Sequence, residues 1–422
     1  MPFETISVIG LGYIGLPTAA MFASRKKKVI GVDVNQHAVD TINQGKIHIV
    51  EPDLDMIVHA AVSEGYLKAV TTPEPADAFL IAVPTPFKDN GAEIPEPDLT
   101  YIKAATKAIA PVLKKGDLVI LESTSPVGAT EQMAEWLSKL RADLSFPLTH
   151  GENADVNVSH CPERVLPGHV VRELVENDRV IGGISSKCSE RSVELYKTFV
   201  QGECVITNAR TAEMAKLTEN SSRDVQIAFA NELSIICDKL DINVWELIAL
   251  ANRHPRVNIL QPGPGVGGHC IAVDPWFIVS KNPKEARVIH TARTVNDSKP
   301  EWVINKVKLA IADFLQSNPE KTVCEVTIAC YGLAFKKNID DLRESPALNI
   351  TSEVCAFHSG QVLIVEPNIH KLPNTLQSGF LVEFENAIEL ADINLILVDH
   401  DEFKFSNLIR KNTIDTKGIC NE

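Results

Sequence analysis

Short apolar runs, each followed by a Gly, Ser, Thr or Pro turn and then an amphipathic stretch, recur through the first 200 residues. The runs Thr5–Ile9, Lys28–Val32, Ala78–Val83, Asp117–Glu122, Asn157–His160 and Arg179–Gly182 predict strands. Strands alternating with helices predict a parallel sheet covered on both faces, and brief, continuous apolar runs suit strands buried on both sides. From Thr211 to Leu240 the pattern changes: 30 residues pass without Gly or Pro. One helix there spans about 45 Å at about 1.5 Å per residue. Asp241-Ile242-Asn243 ends it, and Trp245–Ala251 starts another. A Gly/Pro-rich loop, Gln261–His269, leads to helices running to about Gln316. After Pro319 the strand–helix theme returns at Val326–Tyr331, Gln361–Glu366 and Ile393–Asp399. The expected fold class is α/β: an N-terminal Rossmann-like domain (1–205), a central helical domain (206–316) and a smaller Rossmann-like domain (317–422). The apolar positions Ile227, Phe229, Leu233, Ile235 and Ile236 suit either a dimer spine or a helix buried in its own monomer.

Composition narrows the classes. The chain has 422 residues, 45% hydrophobic and 23% charged, which is ordinary for globular domains and excludes wholesale disorder. A formal net charge of −14, with no basic block beyond Arg25–Lys28, argues against a general nucleic-acid or membrane-surface protein. No run approaches the roughly 18 apolar residues of a membrane span, and the first strand begins almost at once without a signal-like segment. A cytoplasmic chain is expected. The nine cysteines are scattered with no Cys-x-x-Cys pair, so neither a disulfide framework nor a zinc site is expected, and no metal is called for.

Gly10-Leu11-Gly12-Tyr13-Ile14-Gly15 follows the first strand and opens a helix. Gly10 permits a tight turn, Gly12 a close backbone approach to a pyrophosphate, and Gly15 close helix–strand packing. Asp33 ends the next strand, where a carboxylate accepts hydrogen bonds from the ribose hydroxyls and repels a 2′-phosphate. The cofactor expected is NAD. Thr85, Thr124 and Thr130 follow later strands and are candidates to contact cofactor or a bound water, or to cap helices.

Cys270 ends Gly265-Val266-Gly267-Gly268-His269-Cys270, with Asp274 close behind. A thiol after a glycine loop and near a helix start can have its thiolate stabilised, which lifts it above the other cysteines as a nucleophile. Lys216, Asn220 and Arg223 recur at i, i+4 and i+7, forming one polar stripe on the long helix. A lysine and an asparagine one turn apart can polarise a hydroxyl for hydride removal, against the plainer reading of a solvated face. Glu163, in Cys161–Gly168, is a candidate base or water-orienting group, and Arg164 an anion ligand. His254 and Arg256 are candidates to bind substrate. Phe335 and Lys336, in Gly332–Lys336 at a strand end, suit a base and phosphates.

In this order of motifs, with Arg343-Glu344-Ser345-Pro346 after Gly332–Lys336, the chain resembles the UDP-glucose/GDP-mannose dehydrogenases over essentially its whole length. Cys161–Gly168, His254–Asp274 with Gln261–Val266, and Val365–His370 are similar to the branch that oxidises UDP-N-acetyl-D-mannosamine for bacterial surface polysaccharides. One departure is Lys337, where the family pattern has proline. The resemblance implies a four-electron oxidation at the sugar C6 by two NAD molecules. It implies Lys216 for proton exchange, Cys270 as the attacking thiolate, and Asn220 with Lys216 for the oxyanions. It assigns Asp274, Glu163 and Thr124 to the hydrolytic water. Tyr13 and Ile14 of the fingerprint, Thr85, Thr130 and Arg343 would serve the cofactor. Arg164, Val165, Arg223, His254, Arg256 and Gly267 would line the sugar-nucleotide pocket, with Phe335 and Lys336 on the uridine diphosphate. A homodimer through the long helix is implied as well. UDP-N-acetylglucosamine, UDP-N-acetylgalactosamine and UDP-glucose remain open as substrates. A single-oxidation β-hydroxyacid dehydrogenase shares the Lys-x-x-x-Asn pair but has no use for Cys270. A silent NAD-binding scaffold has no use for Lys216, Cys270 and Asp274 together.

Overall fold

The computed structural model describes residues 3–49, 51–165, 168–268, 270–403 and 412–421. The chain divides into two compact units, Met1–Glu219 and Asn220–Glu422.

The first unit is built on eight strands: β1 (Thr5–Ile9), β2 (Lys28–Val32), β3 (Leu67–Val70), β4 (Ala78–Ile81), β5 (Leu118–Leu121), β6 (Asn157–His160), β7 (Arg179–Gly183) and β8 (Cys204–Asn208). Their order across the sheet is β3-β2-β1-β4-β5-β6-β7-β8. Successive residues of a strand point to opposite faces, and both faces are apolar. Ala78 and Leu80 join one core with Leu16 and Phe22, whereas Phe79 and Ile81 join the other with Ile102 and Met133. The expected parallel sheet is present with one departure: β7 pairs antiparallel with β6, Ser159 opposite Gly183 and His160 opposite Gly182.

The long helix, Ala209–Lys239, starts where the Asn208 side-chain oxygen accepts from the Thr211 N–H at 2.9 Å. It ends at Asp241, whose φ of 53° is the left-handed turn that stops a helix. Asn243 then caps Val244–Ala251 by accepting from the Trp245 and Glu246 N–H groups.

The second unit carries a five-stranded, wholly parallel sheet: β9 (Ile328–Tyr331), β10 (Val362–Val365), β11 (Phe380–Leu381), β12 (Ile393–Ile396) and β13 (Thr413–Asp415), in the order β11-β10-β9-β12-β13. Val303, Val307 and Ile311 of the helix Arg287–Ser317 pack on one face of it. Among the described residues no helix is long and apolar enough to cross a membrane.

Candidate active site

In the first unit, the glycine turn after β1 has three different reasons for its glycines. Gly10 has φ 92°, and a Cβ there would lie 2.6 Å from the Ala82 carbonyl oxygen. A Cβ on Gly15 would lie 1.8 Å from the Gly10 carbonyl oxygen, so the helix can sit this close only with hydrogen there. A Cβ on Gly12 meets nothing within 4 Å, leaving open space where a pyrophosphate would lie. Ile14 stands at the N-cap of the helix Gly15–Ser24 and offers no side-chain acceptor; the Leu16 N–H donates to the Gly12 carbonyl oxygen at 3.1 Å and Pro17 has none, so an anion at this helix start would meet the Gly15 N–H and the positive end of the helix dipole. Tyr13 is exposed beside them. Asp33 accepts from the Leu11 N–H through Oδ2 and from the Asn35 N–H through Oδ1, both at 2.9 Å. A carboxylate has about four acceptor sites, so these two bonds aim it and leave capacity for ribose hydroxyls. The residues present fit NAD.

Beyond β4 and β5, Thr85 donates to the Thr124 carbonyl oxygen at 2.7 Å and ties the two loops together. Thr130 is fully buried, and its hydroxyl donates to Glu213 at 2.6 Å. Glu213 also accepts the Gly128 and Thr130 N–H groups, so it caps the helix Ala129–Leu140. Burial pushes its carboxyl up despite those bonds. Glu163 is buried, with Oε2 on Arg179 at 2.8 Å and Oε1 on the Arg164 N–H at 2.8 Å. The Arg164 guanidinium pairs with Glu219 at 2.7 Å. Val165 packs against the apolar core. Lys216 is half-buried, one turn from Asn220 on the same helix.

In the second unit, Cys270 is exposed at the turn before the helix Asp274–Lys281, and its carbonyl oxygen accepts the Asp274 N–H at 2.9 Å. Asp274 is 3% exposed and accepts from the Asn220 side-chain amide at 2.5 Å. The structure thus joins two residues singled out separately. The loop before Cys270 lies on the loop after β9. A Cβ on Gly267 would meet the Glu344 carbonyl oxygen at 2.5 Å and the Phe335 Cβ at 2.8 Å. Gly268 has φ 82°, and a Cβ there would meet the Phe335 ring at 2.9 Å. The Gly268 N–H donates to the Arg343 carbonyl oxygen at 3.2 Å. Lys336 is exposed, and the exposed Arg343 side chain bonds to Asp341. Arg223, His254 and Arg256 are exposed. His269, Leu166 and Pro167, members of the quoted motifs, lie outside the described residues.

Several supporting residues escape a reading of the sequence. Arg179, Glu122 and Tyr196 surround Glu163, as detailed below. Glu366 accepts the Leu333 and Ala334 N–H groups at 2.7 and 3.0 Å and so fixes the turn leading to Phe335. His400 Nδ1 accepts the Asn338 N–H at 2.9 Å, so Nε2 carries a proton and donates to Glu366 at 3.1 Å. The available signal is a charged residue directly bordering a wholly apolar strand: Glu122 after β5, Arg179 opening β7, Glu366 after β10.

Comparison with known proteins agrees with this geometry. Models of the UDP-glucose/GDP-mannose dehydrogenase family match residues 4–200 (NAD binding domain), 210–298 (central domain) and 329–422 (UDP binding domain). The chain is 66% identical over 423 residues to the UDP-N-acetyl-D-mannosamine dehydrogenase of Yersinia pestis, covering 99% of this chain and 100% of that one. It is 64% identical over 420 residues to an NDP-N-acetyl-D-galactosaminuronic acid dehydrogenase of Ralstonia nicotianae, covering 99% and 96%. A solved UDP-N-acetyl-mannosamine dehydrogenase from Staphylococcus aureus superposes with a TM-score of 0.84 at 42% identity, over 99% of this chain and 96% of that one.

Proposed function

The chain belongs to the UDP-glucose/GDP-mannose dehydrogenase family, and from that premise we propose that it oxidises UDP-N-acetyl-D-mannosamine to UDP-N-acetyl-D-mannosaminuronate for a bacterial surface polysaccharide. The observation that carries the chemistry is the exposed Cys270 on a glycine loop that lies against Phe335, with Asp274 and Asn220 bonded beside it. The sugar rests on the substrate named for relatives of high identity.

NAD, when bound, would supply the hydride acceptor for each of two successive oxidations. Gly10, Gly12, Tyr13, Ile14, Gly15 and Asp33 would hold it, with Thr85 and Arg343, and Thr130 would serve it from behind, since its hydroxyl is bonded to Glu213. Lys216 takes the proton of the C6 hydroxyl. Cys270 Sγ then bonds to the aldehyde carbon, giving a thiohemiacetal whose oxyanion is stabilised by Lys216 and Asn220. Loss of the second hydride leaves a thioester. Water oriented by Asp274, Glu163 and Thr124 adds to it, the C–S bond breaks, and the carboxylate departs as the thiolate is restored. Covalent capture keeps the aldehyde from diffusing away while the cofactor is exchanged. Arg164, Val165, Arg223, His254, Arg256 and Gly267 contact the sugar nucleotide, while Phe335 and Lys336 hold its uridine diphosphate.

The functional parts are residues 1–205, 206–316 and 317–422. The enzyme is a homodimer through the long helix, where Phe229 and Ile236 stand seven residues apart and Leu240 follows the last helical residue, at 51%, 44% and 62% exposed. It works in the cytoplasm, where a reducing environment preserves an exposed nucleophilic thiol.

The test is product stoichiometry across UDP-sugars. UDP-N-acetyl-D-mannosamine should give two NADH per sugar and the highest kcat/KM, and Cys270→Ser should form little uronate. A higher kcat/KM on UDP-N-acetylgalactosamine or UDP-glucose would overturn the sugar. Full uronate turnover by Cys270→Ser would overturn the covalent step.

A further inference from the structure

Behind Glu163 lies a buried charge cluster that the reaction scheme leaves unused. Chain direction puts it there. Because β7 runs antiparallel to β6, its first residue, Arg179, arrives at the carboxyl end of β6, where Cys161 and Glu163 leave the sheet. A parallel strand would have delivered Arg179 to the opposite edge. The carboxyl edge is where open α/β sheets place their ligands.

The Arg179 guanidinium forks between two carboxylates. Nη2 donates to Glu163 Oε2 at 2.8 Å, and Nη1 lies 3.8 Å from Glu122 Oε1 and 3.6 Å from Cys161 Sγ. The guanidinium carbon is 4.5 Å from the centre of the Tyr196 ring. The Tyr196 hydroxyl donates to Glu122 Oε1 at 2.5 Å, while Glu122 Oε2 is buried with no hydrogen-bond partner among the described residues. The five side chains are between 0% and 8% exposed. Burial pushes the Cys161 thiol up to about 12 and the Tyr196 phenol well above its usual value, so both are neutral. One guanidinium therefore faces two carboxylates. Burial pushes Glu122 up to about 7, and the guanidinium stands nearer Glu163, at 2.8 Å against 3.8 Å.

We propose that Arg179 is a positioning residue for Glu163: it holds that carboxylate in one orientation for the hydrolytic half of the reaction, with Glu122 and Tyr196 bracing the guanidinium from behind. This rests on the reading of Glu163 as a water-orienting group. The physical need is direct. A buried carboxylate without a cation takes up a proton, and one without a second anchor rotates, so that it no longer aims a lone pair at a water. The Arg164 N–H supplies only one anchor.

The experiment separates the two half-reactions. NADH formation is followed through the first turnover in Glu163→Gln, Arg179→Lys, Arg179→Met and the double variant Glu163→Gln/Arg179→Lys, with equilibrium binding of NAD and UDP-sugar. Arg179→Lys keeps the buried charge and removes the fork, so it decides the matter should Arg179→Met fail to fold. Expected for Arg179→Lys is a burst of two NADH per site at nearly the wild-type rate, and then turnover slowed about 10–100-fold by thioester hydrolysis. Both binding constants should be unchanged. In the Glu163→Gln background, Arg179→Lys should slow hydrolysis no further, because a residue acting through Glu163 has nothing left to act on. Wild-type turnover of Arg179→Lys beside a slow Glu163→Gln overturns the proposal and leaves the role of Glu163 standing. Wild-type hydrolysis in Glu163→Gln overturns both. A loss spread equally over binding and both oxidations marks a merely structural arginine and also overturns it.

Discussion

Gly12 and Gly15 stand three residues apart in one turn, yet a side chain at each would do different damage. At Gly15 the added carbon would sit 1.8 Å from the Gly10 carbonyl oxygen, so helix and turn must part. Gly15→Ala should cost at least about 3 kcal/mol of stability, the upper range of overpacking. At Gly12 nothing lies within 4 Å. Gly12→Ala should keep its stability within about 0.5 kcal/mol, as surface changes do. The methyl enters the space a pyrophosphate needs, so NAD should bind at least about tenfold more weakly, or about 1.4 kcal/mol. Thermal unfolding and NAD titration of the two variants check both halves. An unstable Gly12→Ala, or one binding NAD normally, would show that the turn does not face the cofactor. The same logic explains why this site was legible from residues alone: a Gly-x-Gly-x-x-Gly turn and a strand-end acid are local, and their job follows from backbone geometry. Thr130 was less legible. Its hydroxyl is spent on Glu213, which lies 83 positions away and which no spacing connects to it.

Most of the buried strands of the two sheets and the long uninterrupted helix were legible from the sequence. β1, β2 and β6 fall where the runs predict them, and the long helix begins at Ala209 and ends at Lys239, within two residues of expectation. Strands β3, β8, β11 and β13 escape notice, each short or lying off the core. β8 is half-buried or exposed throughout, and β13 is three residues long. The antiparallel direction of β7 is silent in sequence, since its apolar residues read the same either way. So is the bond from Asn220 on the long helix to Asp274 at the head of another, which joins residues 54 apart. That bond supports a prediction at this scale. Asn220→Ala and Asp274→Ala each remove it and should each lower kcat by about 10²-fold or more, as expected for groups that orient a reacting centre. The double variant should lose less than the product of the two factors, because residues acting as a unit are non-additive. Lys216→Ala should cut kcat by about 10²–10⁴-fold with little change in UDP-sugar affinity. Strict multiplicativity for the Asn220/Asp274 pair would separate their roles, and wild-type kcat in Lys216→Ala would remove it from the proton transfer.

Over the whole molecule, two buried groups make stability respond to pH in opposite senses. Burial pushes Glu122, in the first unit, up to about 7. The folded state then holds a proton that the unfolded chain releases above the ordinary carboxyl range. This contribution is fully present below about pH 4.5 and is lost as pH rises through about 7. Burial pushes Lys299, in the second unit, down to about 7 against the pull of Asp238, with its ammonium 3.7 Å from the centre of the Trp302 ring and bonded to Ser234. Here the unfolded chain holds the extra proton. The contribution is present above about pH 10.5 and is lost as pH falls through about 7. Raising the pH from 5 to 7 should therefore remove the Glu122 contribution from the first unit, against an opposite gain from buried His160, which burial pushes down to about 3, and raising it from 7 to 9 should strengthen the second. Glu122→Gln should remove on the order of 1–3 kcal/mol of the acid-side slope, and Lys299→Met should flatten the alkaline side while raising stability at neutral pH. Hydrogen exchange resolved by peptide reads each unit separately at pH 5, 7 and 9. An alkaline slope unchanged by Lys299→Met would mean that Trp302 and Ser234 compensate the buried ammonium in full. An acid-side slope unchanged by Glu122→Gln would show that Glu122 does not carry that proton in the folded state.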